Sequence, residues 1–209
     1  MGEAFMQYKF IRGNDESAPL FVMLHASGGT EDDLIPLVKK WNESAPVLSI
    51  RGNELDHERT AFFRLDEHQS VTEEHITEKA EEIATFLQNI LAKHHVDTRQ
   101  IVIVGLSTGA TMALHLLLTN PHLFTGAILY HPLVYNIFPK RVDLTGKHIF
   151  VGATKNDPYI KVEETEKLSA YLQDKGAHVT LHWEHGYHYL TGEEFAASRV
   201  WFEDLEKEL

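Results

Sequence analysis

Ile101-Val102-Ile103-Val104-Gly105-Leu106-Ser107-Thr108-Gly109 is the stretch on which the fold turns. Ile101–Leu106 is the most strand-like run in the chain, and Thr108–Thr119 reads as an apolar helix stopped by Pro121. A G-x-S-x-G set between a strand and a helix predicts a sharp turn with its serine at the apex. The glycines are needed because strand and helix approach so closely that side chains two positions away would collide. The serine itself is expected in an unfavourable backbone conformation. Such a turn raises the Ser107 hydroxyl above the sheet edge. It also leaves the Thr108 N–H at a helix N-terminus, where it can stabilise an oxyanion. The plainer alternative is a strand–turn–helix connection that uses glycine only for tightness.

Outward from this turn, apolar runs of strand length alternate with amphipathic runs of helix length. Phe5–Ile11 alternates like an edge strand, and Leu20–Leu24 is continuously apolar, as a strand covered on both faces should be. Glu31–Trp41 has helical spacing, Val47–Ile50 is a strand, and Arg51–Ser70 is polar and irregular. A long helix is expected from about Val71, with Ile76, Ala80, Ile83, Ala84, Leu87, Ile90 and Leu91 on one stripe. Strands Ala127–Tyr130, Ile149–Val151 and Val179–Trp183 follow, with a helix over Lys161–Lys175 capped by Gly176 and a last helix within Glu193–Glu206. This alternation predicts an α/β fold, a mostly parallel sheet with helices on both faces, spanning residues 1–209 as one domain. Ligands of such sheets bind beyond the carboxyl ends of the strands.

A serine nucleophile needs a base and an orienting carboxylate. Asp157, just past the strand Ile149–Val151, is the best-placed acid; Asp143 precedes that strand and Asp174 lies on a helix. A turn residue before Pro158 or a helix N-cap is its alternative role. His178 and His182 share one strand face, whereas His185 and His188 lie in the loop beyond, His188 the further in. His188 is therefore the candidate base and His185 the runner-up. Leu24-His25-Ala26-Ser27-Gly28-Gly29 follows an early strand, and the Ser27 N–H is the natural second oxyanion donor. An ordinary turn is its alternative; a phosphate cradle would want a lysine that the loop lacks.

These blocks, in this order, resemble α/β-hydrolases of the carboxylesterase/phospholipase branch, which includes acyl-protein thioesterase-like enzymes. Leu24–Gly29 is similar to that family's L-H-G-x-G-G block, and Arg51-Gly52-Asn53 with Phe62-Phe63-Arg64 resembles a signature of a small bacterial subgroup. Asp157-Pro158-Tyr159-Ile160 is similar to the acid block, and Gly176–Trp183 leading to His188 to the closing strand and base. The resemblance implies a catalytic triad of Ser107, Asp157 and His188, with Ser27 and Thr108 amides as the oxyanion hole. Two positions depart from the pattern: Ala26 replaces a glycine, and Tyr187 precedes the base where glycine is usual.

Composition narrows the function classes. The 209 residues are 43% hydrophobic and 24% charged, ordinary for a globular domain, and the longest apolar run falls far short of a bilayer span. With no signal peptide visible, a cytoplasmic location is expected. Cys is absent, which removes disulfides, thiolate metal sites and a Cys nucleophile. A net charge of −12 disfavours nucleic acid as a partner. No metal and no organic cofactor are expected, the substrate being a small-molecule ester; a homodimer stays open. Phe62, Phe63, Leu133 and Phe138, with His25 and His131, are candidate pocket residues. Each has a structural alternative, as core packing for the apolar residues and as backbone satisfaction for the histidines. Arg51 and Arg64 fit ion pairs better than a substrate carboxylate. Arg51–Ser70 is too short for a lid domain, so a cleft roofed only by loops is expected. Thioesterase and lysophospholipase activities would use the same triad, and a non-catalytic ligand-binding protein on this fold is a further alternative.

Overall fold

The computed structural model describes residues 6–15, 17–96, 100–135 and 137–207. The run Ile101–Leu106 forms a central strand of a seven-stranded sheet. In chain order the strands are β1 (Tyr8–Ile11), β2 (Leu20–Leu24), β3 (Val47–Ile50), β4 (Glu54–Asp56), β5 (Arg59–Ala61), β6 (Ile101–Leu106), β7 (Gly126–Tyr130), β8 (His148–Thr154) and β9 (His178–Glu184). The helices are α1 (Ile35–Trp41), α2 (Glu73–Lys93), α3 (Thr108–Thr119), α4 (Val162–Asp174) and α5 (Gly192–Glu206). The large sheet runs β1-β3-β2-β6-β7-β8-β9, parallel throughout except for β1, which pairs antiparallel with β3. Phe5, included in the expected first strand, lies outside the described residues.

Strand alternation divides the core into two layers. Val22, Leu24, Ile103, Leu129 and Val151 face the stripe of α2 and the apolar residues of α3 and α4. Phe21, Met23, Val102, Val104, Ile128 and Phe150 face Val38 and Trp41 of α1 and Phe202 and Leu205 of α5. Helices therefore cover both faces, and the seven expected α2 residues are the seven buried ones. That helix begins at Glu73, behind the Thr72 cap, so Val71 falls at the N′ position and Ile76 at N4, the positions of a hydrophobic staple. α3 is buried from Thr108 to Leu118, wedged between the sheet and α2.

Two elements differ from expectation. Helical structure begins at Ile35 rather than Glu31, because Pro36 has no N–H to donate and its ring would clash with a preceding helical turn, so it is tolerated only in a first turn. The segment 51–70, expected to be irregular, holds the β4–β5 hairpin. His57 and Glu58 at its tip both have positive φ, 45° and 66°, as a tight hairpin turn requires.

One buried base gives this core a pH dependence. His115 on α3 is 5% exposed, and burial pushes its imidazole from 6.5 down to about 4. Between those values the unfolded chain binds a proton that the folded one does not. Stability is therefore complete above about 6.5 and declines as pH falls towards 4, by on the order of 3 kcal/mol. Burial shifts His25 in the same direction. Thermal melts at pH 7 and pH 4.5 should show this loss, and His115→Leu should flatten the difference.

Candidate active site

The order of the sheet reverses between β2 and β6, since from β2 the chain steps out to β3, next to the edge strand β1, and then returns to β6 and builds on to β7–β9 on the other side. This is where ligands of open parallel sheets bind. Ser107 leaves β6 at this point with φ 56° and ψ −120°, a conformation costly for any residue with a side chain. Its N–H donates to the Tyr130 carbonyl at 2.8 Å, and its own carbonyl accepts the Thr111 N–H at 2.9 Å. A Cβ on Gly105 would lie 2.4 Å from the Gly109 carbonyl oxygen. One on Gly109 would lie 2.2 Å from that of Leu24 and 2.3 Å from that of His25. All these neighbours are backbone, so the glycines are a steric requirement of the turn.

The Ser107 hydroxyl points at His188, with Oγ 2.7 Å from Nε2. His188 Nδ1 is 2.7 Å from Asp157 Oδ2. A carboxylate can only accept, so Nδ1 carries the proton and Nε2 is left to accept from the serine. Asp157 is held by its own turn: Oδ1 accepts the Tyr159 N–H at 2.8 Å and the Ile160 N–H at 3.2 Å. Its side chain is 1% exposed, against 14% for His188. Tyr159 stands edge-on to the His188 ring with centroids 5.0 Å apart. The other candidates, the runner-up His185 included, are elsewhere: Asp143 is exposed and accepts from Thr145, His178 stacks on His148, and His185 is exposed.

The loop after β2 closes as a turn in which the Gly29 N–H donates to the Ala26 carbonyl at 2.9 Å, with Gly28 at φ 80°. Glycine in that third position is what a type II turn demands. The Gly28 N–H donates to the Thr60 carbonyl at 2.8 Å, so the unexpected hairpin braces this loop from outside. His25 also serves the loop. Its Nδ1 donates to the Ala26 carbonyl at 2.7 Å, and its Nε2 accepts the Gly52 N–H at 3.0 Å. Ser27 occupies the second place of this turn, and Thr108 is the first residue of α3, where N–H groups have no intrahelical acceptor. Neither Ala26 nor Tyr187 has positive φ, so these departures from glycine are accommodated without left-handed strain.

The pocket residues fare differently. Phe62 and Phe63 are 1% and 2% exposed, Phe62 against the His25 ring and Phe63 edge-on to Tyr135. They are core residues and do not overhang a cleft; closure of the hairpin turns them inward. Phe138 stacks on Tyr171 of α4 at 4.5 Å. Leu133 is half-buried and held to α3, its N–H donating to Thr111 Oγ1 at 2.9 Å, one turn from Ser107. His131 is fully buried beside Asp157. Arg51 pairs with Glu31 and Arg64 with Glu54, both in structural ion pairs. Among the described residues, ligand atoms of His131, Asp157 and His188 converge within 4.8 Å of one another. An ion there would compete with the Asp157–His188 hydrogen bond, so the cluster is better matched to moving a proton. No helix among the described residues is long and apolar enough to cross a membrane.

A parallel sheet with a serine turn at its switch point is the architecture of an α/β-hydrolase, and solved structures bear this out. The chain superposes on the Bacillus cereus carboxylesterase with a TM-score of 0.92 and 35% identity, covering 96% of this chain and 95% of that one. It superposes on YahD, solved with malic acid, with a TM-score of 0.89 and 26% identity, covering 96% and 99%. It is 31% identical to MhqD of Bacillus subtilis (strain 168) over 95% of this chain and 98% of that one. The phospholipase/carboxylesterase family profile matches residues 60–202. The chain belongs to the phospholipase/carboxylesterase family of α/β-hydrolases.

Proposed function

We propose that the protein hydrolyses carboxylic esters of small or medium acyl or aryl groups through an acyl-enzyme on Ser107. The observation that carries this reading is the continuous chain from Ser107 Oγ through His188 to Asp157, with both links 2.7 Å long. His188 Nε2 takes the hydroxyl proton as Oγ attacks the ester carbonyl, and Asp157 holds the imidazole in its Nδ1–H tautomer and offsets the positive charge that develops. The Ser27 and Thr108 N–H groups receive the oxyanion. One such donor is worth about 10²–10³ in rate. The tetrahedral intermediate collapses when His188 protonates the leaving alkoxide. Water, deprotonated by the same nitrogen, then attacks the acyl-enzyme and frees the acid. Leu133, half-buried and tied through its backbone to Thr111 on α3, is the residue we assign to the acyl group.

A series of p-nitrophenyl esters of increasing acyl length, run beside matched thioesters, tests this. Turnover of the short and medium esters is expected. Faster turnover of the thioesters would move the assignment to a thioesterase, and no turnover of either would overturn it.

A further inference from the structure

Behind Asp157 lies a second histidine–carboxylate pair that the mechanism above does not use. His131 follows β7 directly, in the left-handed conformation (φ 51°) that non-glycine residues seldom adopt. Its N–H donates to the Gly152 carbonyl at 2.8 Å, which fixes the ring inside the protein at 0% exposure. Nδ1 lies 3.5 Å from Asp157 Oδ2, the oxygen that His188 also engages; on the other side Nε2 lies 3.0 Å from Glu194 Oε2. The rings of His131 and His188 are 5.5 Å apart.

Glu194 has been diverted to reach this position. It is the third residue of α5, and its N–H donates to the Thr191 cap at 3.0 Å. A glutamate there commonly turns its carboxylate back to the cap. Here the carboxyl group is 0% exposed and enters the space above Gly152 of β8, where any Cβ would stand 1.8 Å from Oε1. The other groups facing the pair are Asp157, His188 and, from β7, Tyr130, whose hydroxyl bonds Ser198 on α5. None of these brings a fixed positive charge.

Proton placement follows from that inventory. With a proton on Nε2 alone, the Nδ1 lone pair would face the Asp157 carboxylate while Glu194 stayed anionic and buried, a doubly unfavourable arrangement. A proton on Nδ1 and another shared between Nε2 and Oε2 makes the pair neutral overall and turns an N–H dipole on Asp157. At 3.5 Å this contact is electrostatic and not a good hydrogen bond. We propose that His131 and Glu194 form a proton-sharing pair that directs Nδ1–H at Asp157, making both positioning residues for the Ser107–His188–Asp157 chain. The inference rests on that chain being the catalytic one.

His131→Asn tolerates the left-handed backbone but cannot span Asp157 and Glu194, and Glu194→Leu removes the anchor while filling its space. Each is expected to lower kcat about 10–100-fold with KM within about twofold, a range taken from the loss of the carboxylate behind a metal-bound histidine, which likewise orients its partner from one layer out. Without the N–H dipole, Asp157 attracts the His188 proton more strongly, so the acid limb of the kcat profile should move to higher pH by about half a unit or more. Glu194→Gln offers its amide N–H to Nε2, preserves Nδ1–H, and should recover about tenfold of the Leu variant's loss. Thermal melts confirm folding in each case, and either single variant suffices if the other does not fold. Rates of Ser107 labelling by a fluorophosphonate separate the two readings. An unlabelled wild-type protein would overturn the triad itself. A labelled wild type whose folded variants keep its labelling rate, kcat and acid limb would overturn only the role of His131 and Glu194.

Discussion

Ser107→Ala is expected to lower kcat/KM for ester hydrolysis by about 10⁵–10⁶-fold and to abolish fluorophosphonate labelling, with the fold unchanged. The size of the effect reflects the loss of the group on which the other two act: with no hydroxyl to deprotonate, His188 and Asp157 have nothing to activate, so one deletion removes their joint contribution. The Ser27 and Thr108 amides would still bind an oxyanion, which sets a floor above the uncatalysed rate. Ser107→Gly separates activity from stability. It should be equally inactive, yet the backbone at φ 56°, ψ −120° suits only glycine. Relief of that strain, less the greater entropy of glycine in the unfolded chain, should make the Gly variant more stable than the Ala variant by about 1 kcal/mol. Denaturant titration of the two proteins measures this difference. A Gly variant no more stable than the Ala variant would show that the turn is not strained.

The parts of the molecule legible in the sequence are those where one residue type answers one local demand. Gly105 and Gly109 flank Ser107 because backbone oxygens stand where their side chains would be, and such a requirement leaves a motif. The stripe on α2 is legible because a helix with one buried face repeats its apolar residues at helical spacing. Asp157 and His188 could be singled out because chain order and strand ends leave few competitors. The β4–β5 hairpin was hidden for the opposite reason. Its tip uses His57 and Glu58 at positive φ where Asn or Gly would have advertised the turn, and Thr60 reaches the loop after β2 through a carbonyl that any residue could supply. Phe62 and Phe63 could be given either to a cleft or to a core, and only closure of that hairpin decides for the core. Glu194 leaves no such mark in the sequence. Its spacing from Thr191 is that of an ordinary capping box, and its diversion to His131 depends on the missing side chain of Gly152, 42 positions away in sequence and on another element.

Asp157→Asn is the second large effect, and it should cost about 10⁴-fold in kcat while leaving KM and the labelled fold nearly intact. The substitution is almost isosteric, so the loss comes from proton position and not from shape. In the native protein Oδ1 is committed to the Tyr159 and Ile160 N–H groups, which leaves Oδ2 for His188. An asparagine must keep its carbonyl oxygen towards those two backbone donors, and its NH₂ then faces His188. A donor there forces Nδ1 to accept, the imidazole proton moves to Nε2, and Nε2 can no longer take the proton from Ser107. Activity should return partly at high pH, where hydroxide or an ionised Ser107 removes the need for a base, so the variant's profile should rise with pH where that of the wild type is level. Loss of His131 acts on the same oxygen but leaves the His188 tautomer correct, which is why its effect is smaller by orders of magnitude. In the Asp157→Asn background, His131→Asn should therefore add almost nothing, since there is no carboxylate left to orient. A full additional 10-fold or greater loss in the double variant would place the contribution of His131 somewhere other than Asp157.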